Sequence, residues 1–255
     1  MKHVFAVETV QQLAEYQHFV ETIQPRLDTY MKCLRGNYSV TDLPRVILWT
    51  DYETATKGIS DIPVPAYTND YRTVMTPDLD MWRKIYLAQL DGCDWADEEM
   101  PIVERVRDYY RDELNENHIL QILGHELAHH SDYFPDDEER DTGIWFEEGM
   151  VEYISRRFFL TKAEFAQEAM INALLVQLLQ KRYGARPLDD FGQATYSEDY
   201  GGIFFAYWRS FLAVKQLVDT HGGDVHAVFA QYHTWYRTEC TETFEQWLVE
   251  RKLLT

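Results

Sequence analysis

The chain has 255 residues, of which 45% are hydrophobic and 15% aromatic, and its formal net charge at pH 7 is -19. This composition is typical of a globular protein that is long enough to bury one large core. The negative charge argues against nucleic acid and against an anionic membrane surface as partners, because both would need clustered Lys and Arg. We therefore predict no nucleic-acid and no membrane partner.

The chain has no apolar stretch near the roughly 20 residues that a membrane-spanning helix needs. Its N-terminus, residues 1–16, lacks the basic start, apolar core and cleavage site of a signal peptide. We therefore expect a soluble, cytoplasmic protein. The three cysteines, Cys33, Cys93 and Cys240, are isolated and odd in number, which predicts reduced thiols and argues against a disulfide framework or a Cys-based metal site.

The first part of the chain combines one long helix with short extended segments. Residues 8–34 have apolar side chains at helical spacing, which predicts an amphipathic helix that Pro25 kinks or breaks. Apolar runs bounded by prolines predict strands in three segments: residues 45–50, 64–69 and 71–76. We expect these strands to form a small, mainly antiparallel sheet.

From Met100 onward the apolar pattern is mainly helical. The residues around 114–128 predict a buried helix, and the acidic run 136–141 that follows predicts a solvated loop. The predicted boundaries after it are a helix start near Ile144, a capping box at Thr161–Glu164, a helix end at Gly184 and a last helix over residues 243–253.

Residues 125–130 read His-Glu-Leu-Ala-His-His. Positions four apart lie about 40° apart around a helix axis, so His125 and His129 can both point at one ion. Glu126 then lies beside the ion, where a carboxylate can take a proton from zinc-bound water and deliver it to a leaving amine. Burying these polar groups without partners would cost on the order of several kcal/mol, which a bound metal would offset. The motif therefore predicts a metal site.

Catalytic zinc usually takes three protein ligands and leaves one position for water. The candidates for the third ligand are Asp132, Glu147, Glu148 and Glu152. Asp132 could reach the ion only if the first helix ends early, and Glu148 and Glu152 share one face of the next helix. The residues by themselves leave this choice open.

The two segments together resemble a known family. A His-Glu-x-x-His helix, eighteen residues and then Glu-Gly on a second helix is similar to the gluzincin metallopeptidases, above all to the aminopeptidase N and leukotriene hydrolase branch and its smaller single-domain relatives. The resemblance implies that Glu148 is the third zinc ligand. In thermolysin-like enzymes an acidic group at the position of Glu152 orients a zinc histidine, so the resemblance also implies this role for Glu152, with a plain surface carboxylate as the alternative.

The resemblance implies an α+β, mostly helical fold of one domain over residues 1–255, with a small N-terminal sheet and a helical C-terminal lobe. Its approximate lobes, residues 1–134 and 135–255, would flank an active-site cleft. In the family the substrate pairs with an edge strand of the sheet, and the segment Ala66–Asn69 followed by Tyr71–Met75 is the candidate for that edge.

A tyrosine segment extends the resemblance. Residues 195–202, an apolar helix and a Gly222-Gly223 turn are similar to the family segment whose Tyr, at the head of the helix, donates a hydrogen bond to the oxyanion of the tetrahedral intermediate. Tyr200 matches this position best, and Tyr196 is the reserve. Removing such a donor typically costs about a hundredfold in rate.

The function that this resemblance implies is zinc-dependent hydrolysis of a peptide or protein substrate. His125, His129 and Glu148 would hold one Zn²⁺ per chain, and Glu126 would act as the general base. The chain lacks the Gly-x-Met-Glu-Asn stretch with which aminopeptidases of this branch hold a free amine, so aminopeptidase specificity is not implied.

Alternatives remain open for both the function and the metal. The chain could be a peptide-binding pseudoenzyme or a zinc hydrolase of a small amide or ester. Manganese, iron or cobalt would also suit two His and a carboxylate, although the spacing with a neighbouring Glu favours zinc.

Overall fold

The computed structural model describes residues 1–59, 64–135, 143–238 and 242–254. The predicted acidic loop at 136–141 and Cys240 lie outside these residues. The contacts divide the chain into two compact units that alternate along it: Met1–Cys93, Arg107–Pro135 and Ile154–Lys162 in the first unit, and Asp94–Val106, Asp136–Tyr153 and Ala163–Thr255 in the second. Helices dominate and four strands form one sheet among the described residues, as expected for an α+β protein.

The sheet lies in the first unit, and its strand order is β1-β2-β4-β3. The strands are β1 (Lys2–Ala6), β2 (Val46–Thr50), β3 (Tyr67–Thr68) and β4 (Arg72–Met75). β2 pairs in parallel with both β1 and β4, and β3 pairs antiparallel with β4. The prediction of a mainly antiparallel sheet is therefore wrong. A parallel pair needs a long crossover connection, and a long helix between β1 and β2 provides one, whereas only a short turn joins β3 to β4.

That crossover is helix α1 (Val10–Asn37), which begins at the Thr9 cap and continues through Pro25 without a break. Its buried face includes Leu27, Tyr30 and Leu34, which are fully enclosed. The other helices that begin in the first half of the chain are α2 (Leu79–Asp91), α3 (Met100–Asp108) and α4 (Glu116–Ala128), with π-helical turns at Thr54–Ile59 and Tyr109–Glu113. Strand β1 and helix α2 were not predicted.

The next helix, α5 (Ile144–Phe159), is continuous, and its residues up to Tyr153 belong to the second unit while those from Ile154 belong to the first. The second unit has an aromatic core in which Trp145, Phe146 and Phe244 are fully buried. Its other helices are α6 (Lys162–Tyr183), α7 (Tyr200–Thr220), α8 (Val225–Tyr236) and α9 (Phe244–Glu250), with 3-10 turns at Leu188–Asp190 and Gln193–Ser197.

Most predicted helix boundaries agree with these bounds, but the last helix ends at Glu250, three residues before the predicted end at 253. The second motif helix begins at Ile144. Helix α6 ends directly before Gly184, which has a φ of 79° that favours glycine. Thr243 forms a capping box with Gln246 at the start of the last helix. In the part of the chain that the structure describes, no helix combines the length and apolarity needed to cross a bilayer.

Candidate metal centre

Helix α4, which contains the His-Glu motif, packs tightly within the first unit. The Tyr30 hydroxyl of α1 donates a hydrogen bond of 2.8 Å to the carbonyl of Gly124. A Cβ at Gly124 would lie 2.6 Å from the ring of Phe159 and 3.1 Å from that of Tyr30, so a larger residue here would force these rings to shift. The contacts fix the helix at the residue that precedes His125.

His125 and His129 lie one helical turn apart with their Nε2 atoms 3.1 Å from each other. Helix α4 ends at Ala128, but His129 caps it with helical dihedral angles of -56° and -23°. Two ligand nitrogens of a tetrahedral zinc site are about 3.3 Å apart when each Zn–N bond is about 2.0–2.1 Å. The spacing of the two imidazoles therefore matches what a shared ion needs.

Glu148 lies on α5, one residue before a glycine that lets this helix approach α7. A Cβ at Gly149 would overlap the carbonyl oxygen of Ser210 and lie 2.6 Å from its carbonyl carbon. The Glu148 side chain is buried and its residue is only 6% exposed. Its Oε1 accepts a hydrogen bond of 2.9 Å from the hydroxyl of Tyr196.

His125, His129 and Glu148 form a group that could hold a metal ion. Each offers one ligand atom, and these atoms lie within 4.8 Å of one another. His125 and Glu148 are buried and His129 is half-buried. Two imidazoles and a carboxylate are donors that suit zinc and other first-row divalent ions. The residues predicted as the ligand set are thus brought together, and they fit the ion.

The other candidates for the third ligand do not belong to this group. Asp132 is engaged in the first unit, where its carboxylate accepts hydrogen bonds from the hydroxyls of Ser39 and Thr41 at 3.3 and 3.2 Å. Glu147 and Glu152 are half-exposed. The role of Glu152 as a residue that orients a zinc histidine stays a prediction.

The two residues predicted to take part in the chemistry differ in their surroundings. Glu126 follows His125 on α4 and is only 7% exposed, so its carboxylate is largely shielded from bulk solvent. Tyr200 is the first residue of α7, and its ring stacks on Phe204 at 5.7 Å between centroids. The Tyr196 hydroxyl contacts Glu148, and the assignment of Tyr200 as oxyanion donor stays a prediction.

Sequence reasoning did not single out His130. Its Nε2 lies 2.9 Å from the Thr68 hydroxyl on β3, which in turn lies 3.0 Å from the hydroxyl of Thr73 on β4. Burial lowers the pKa of His130 below its usual value, and His129 lowers it further, while Asp70 acts in the opposite direction. The His-His pair at the end of the motif was the available signal for it. His130 thus connects the end of the motif to the edge strand.

The expected edge segment does contain the edge of the sheet, because β3 pairs with β4 alone among the described strands. Its turn is held by Asn69, whose side-chain oxygen accepts hydrogen bonds of 3.0 Å from the backbone N–H groups of Tyr71 and Arg72. Tyr71 is 76% exposed at this turn.

Comparison of the chain with family models, curated proteins and solved structures gives no match. The resemblance to the gluzincins therefore stays an expectation from the motif residues alone.

Proposed function

We propose that this protein is a zinc-dependent hydrolase that cleaves peptide bonds. The observation that supports it most is the group His125, His129 and Glu148, whose ligand atoms lie within 4.8 Å of one another. Glu126, a buried carboxylate next to the first of these ligands, supplies the base that such a reaction needs.

A zinc ion held by the three ligands would polarise the scissile carbonyl and lower the pKa of a bound water towards about 7. Glu126 then takes the proton from the attacking water and passes it to the nitrogen of the leaving amine. In this proposal Tyr200 donates a hydrogen bond to the oxyanion. Tyr196 is the poorer candidate for that role, because it already donates its hydroxyl proton to Glu148.

The first unit offers a surface that suits an extended peptide. The outer edge of β3 has no neighbouring strand among the described residues, and extended peptides bind such edges through main-chain hydrogen bonds. The His130–Thr68 contact joins that strand to the residue directly after His129. The net charge of -19 favours peptides that bear basic side chains.

The test of this function is the Glu126→Gln variant, which keeps the shape of the side chain and removes the base. We expect it to retain about one zinc per chain and to cleave peptides at least about a hundredfold more slowly than the wild type. Cleavage is measured by mass spectrometry on a peptide library, and bound metal by elemental analysis of protein purified without chelators. Glu116→Gln makes the same change at an exposed position of α4 and should leave both readouts unchanged.

Equal cleavage by the wild type and Glu126→Gln would refute the proposed role of the base. Zinc binding with no cleavage of any peptide would indicate a peptide-binding pseudoenzyme. Zinc-dependent hydrolysis of small amides or esters, without cleavage of peptides, would indicate a different substrate class.

A further inference from the structure

We infer that Tyr207 and Tyr196 form a hydroxyl chain that orients Glu148 for the metal, with Tyr207 acting through Tyr196. This inference rests on the proposed metal centre and assigns two positioning residues to it. Neither role follows from the sequence motifs.

The direction of the chain follows from the number of protons. The Tyr196 hydroxyl donates to Oε1 of Glu148 at 2.9 Å and lies 3.1 Å from the hydroxyl of Tyr207. A phenol has one proton to donate. Because Tyr196 gives its proton to the carboxylate, the hydrogen bond between the two tyrosines must be donated by Tyr207.

The two rings are held on separate elements of the second unit. Tyr196 lies in the 3-10 turn Gln193–Ser197 and Tyr207 lies on α7. The buried ring of Phe191 packs against both, with centroid distances of 6.0 Å to Tyr196 and 5.1 Å to Tyr207. The fold of the second unit therefore brings the two hydroxyls together, and the shared contact with Phe191 limits the movement of both tyrosine rings.

The segment that contains Tyr196 is itself anchored at both ends. Leu188 donates its backbone N–H to the carboxylate of Glu245 at 2.7 Å. On the other side, Arg186 donates two hydrogen bonds, of 2.6 and 3.0 Å, to the carboxylate of Glu198. A hydroxyl on such a segment loses little further freedom when it binds Glu148, which makes the contact an effective constraint.

The hydroxyl chain has two consequences for Glu148. The hydrogen bond from Tyr196 to Oε1 restricts rotation of the carboxylate. Donation from Tyr207 polarises the Tyr196 hydroxyl and strengthens the bond that it makes to Glu148. Partners of metal ligands typically contribute about 10–100-fold to metal affinity.

The experiment is a double-mutant cycle on zinc affinity, measured by competition with a chromophoric chelator. We expect Tyr196→Phe to weaken binding about 10–100-fold, and Tyr207→Phe to weaken it about 3–10-fold. If Tyr207 acts through Tyr196, adding Tyr207→Phe to Tyr196→Phe should cause no further loss beyond about twofold. Each variant loses one oxygen atom only, and thermal unfolding of the apo-protein confirms that it is folded.

Tyr183→Phe is the matched control. It removes a hydroxyl of the same unit that donates to Asp199 at 2.6 Å, and we expect zinc affinity to stay unchanged. If Tyr183→Phe lost as much zinc affinity as Tyr207→Phe, the loss in Tyr207→Phe would reflect a general perturbation of the second unit. That result would overturn the inference.

Other outcomes are equally decisive. Unchanged affinity in Tyr196→Phe, or losses that multiply in the double variant, would overturn the hydroxyl chain while leaving the metal centre intact. A wild-type protein that takes up no zinc even when zinc is supplied would overturn both the hydroxyl chain and the proposed function.

Discussion

Each of the two helices with candidate ligands has a glycine beside a ligand, but the two glycines meet different kinds of neighbour. Gly124 precedes His125 and faces the side chains of Phe159, Ser155 and Tyr30. Gly149 follows Glu148 and faces the backbone carbonyl of Ser210 on α7. Side chains can rotate away from an added methyl group, whereas a helix backbone can only move as a whole. The position of Glu148 is therefore the more tightly constrained.

The Ser210 contact lies on a buried part of α7. Ser210 is fully buried, and its hydroxyl donates to the carbonyl of Ala206 at 2.8 Å, so that it takes up little space outside its own helix. A glycine and a serine at the crossing let two helices approach closely. The Glu-Gly pair thus combines a candidate ligand with the residue that allows its helix to approach α7.

The largest effect should come from Gly149→Ala. We expect it to lower the free energy of unfolding by about 3 kcal/mol, because the added methyl group overlaps backbone atoms of α7. Urea unfolding followed by circular dichroism measures this loss. A variant as stable as the wild type would show that α7 can move and would abolish the difference between the two glycines.

A smaller effect is expected for Gly124→Ala. The clash with the Phe159 ring costs stability, while the better helix propensity of Ala returns about 1 kcal/mol, which leaves a net loss of about 1 kcal/mol. Gly36→Ala is the control in the same urea experiment. Gly36 lies in the last turn of α1 with no atom within 4 Å of an added Cβ, so this variant should be about 0.5 kcal/mol more stable than the wild type. A larger loss for Gly124→Ala than for Gly149→Ala would reverse the comparison.

Asp199 is the N-terminal cap of α7, the helix that Gly149 meets. Asp199 accepts the backbone N–H of Gly202 at 2.9 Å and the Tyr183 hydroxyl at 2.6 Å. Burial by itself would raise the pKa of Asp199, but these hydrogen bonds and the nearby Arg182 outweigh it and hold the pKa below its usual value. We expect Asp199→Ala to cost about 1 kcal/mol at pH 7 through loss of the cap.

The pH dependence follows from the sign of that shift. A carboxyl group whose pKa is lowered by folding stabilises the protein above its unfolded pKa of about 3.9, and this contribution is lost as the pH falls through the folded pKa. The stabilities of the wild type and Asp199→Ala should therefore converge below about pH 4. A constant difference down to pH 2 would show that the Asp199 charge is not involved.

The candidate ligands were predicted from a local signal and from a resemblance. The one-turn spacing of His125 and His129 suggested a shared ion, whereas the residues alone left the third ligand open and the family resemblance pointed to Glu148. Helix ends at Gly184 and Thr243 were likewise set by the conformational preferences of single residues.

The features that were missed depend on residues far apart in the chain. Tyr196 and Glu148 are separated by 48 positions, and no periodic pattern connects them. The parallel direction of β1 and β2 depends on the path that α1 takes between them, which strand patterns do not encode. Local rules could identify candidate ligands and helix ends, but not a distant side chain such as Tyr196 that contacts one of those candidates.

The edge strand β3 is only two residues long, Tyr67–Thr68. An extended peptide that paired with it would form few main-chain hydrogen bonds, and each contributes only about 1 kcal/mol net. Such a substrate would dissociate quickly, and its products even more so after cleavage has halved their contacts. A hydrolase built in this way would work at a high KM with rapid product release, and it would choose among peptides by the rate of cleavage more than by residence time.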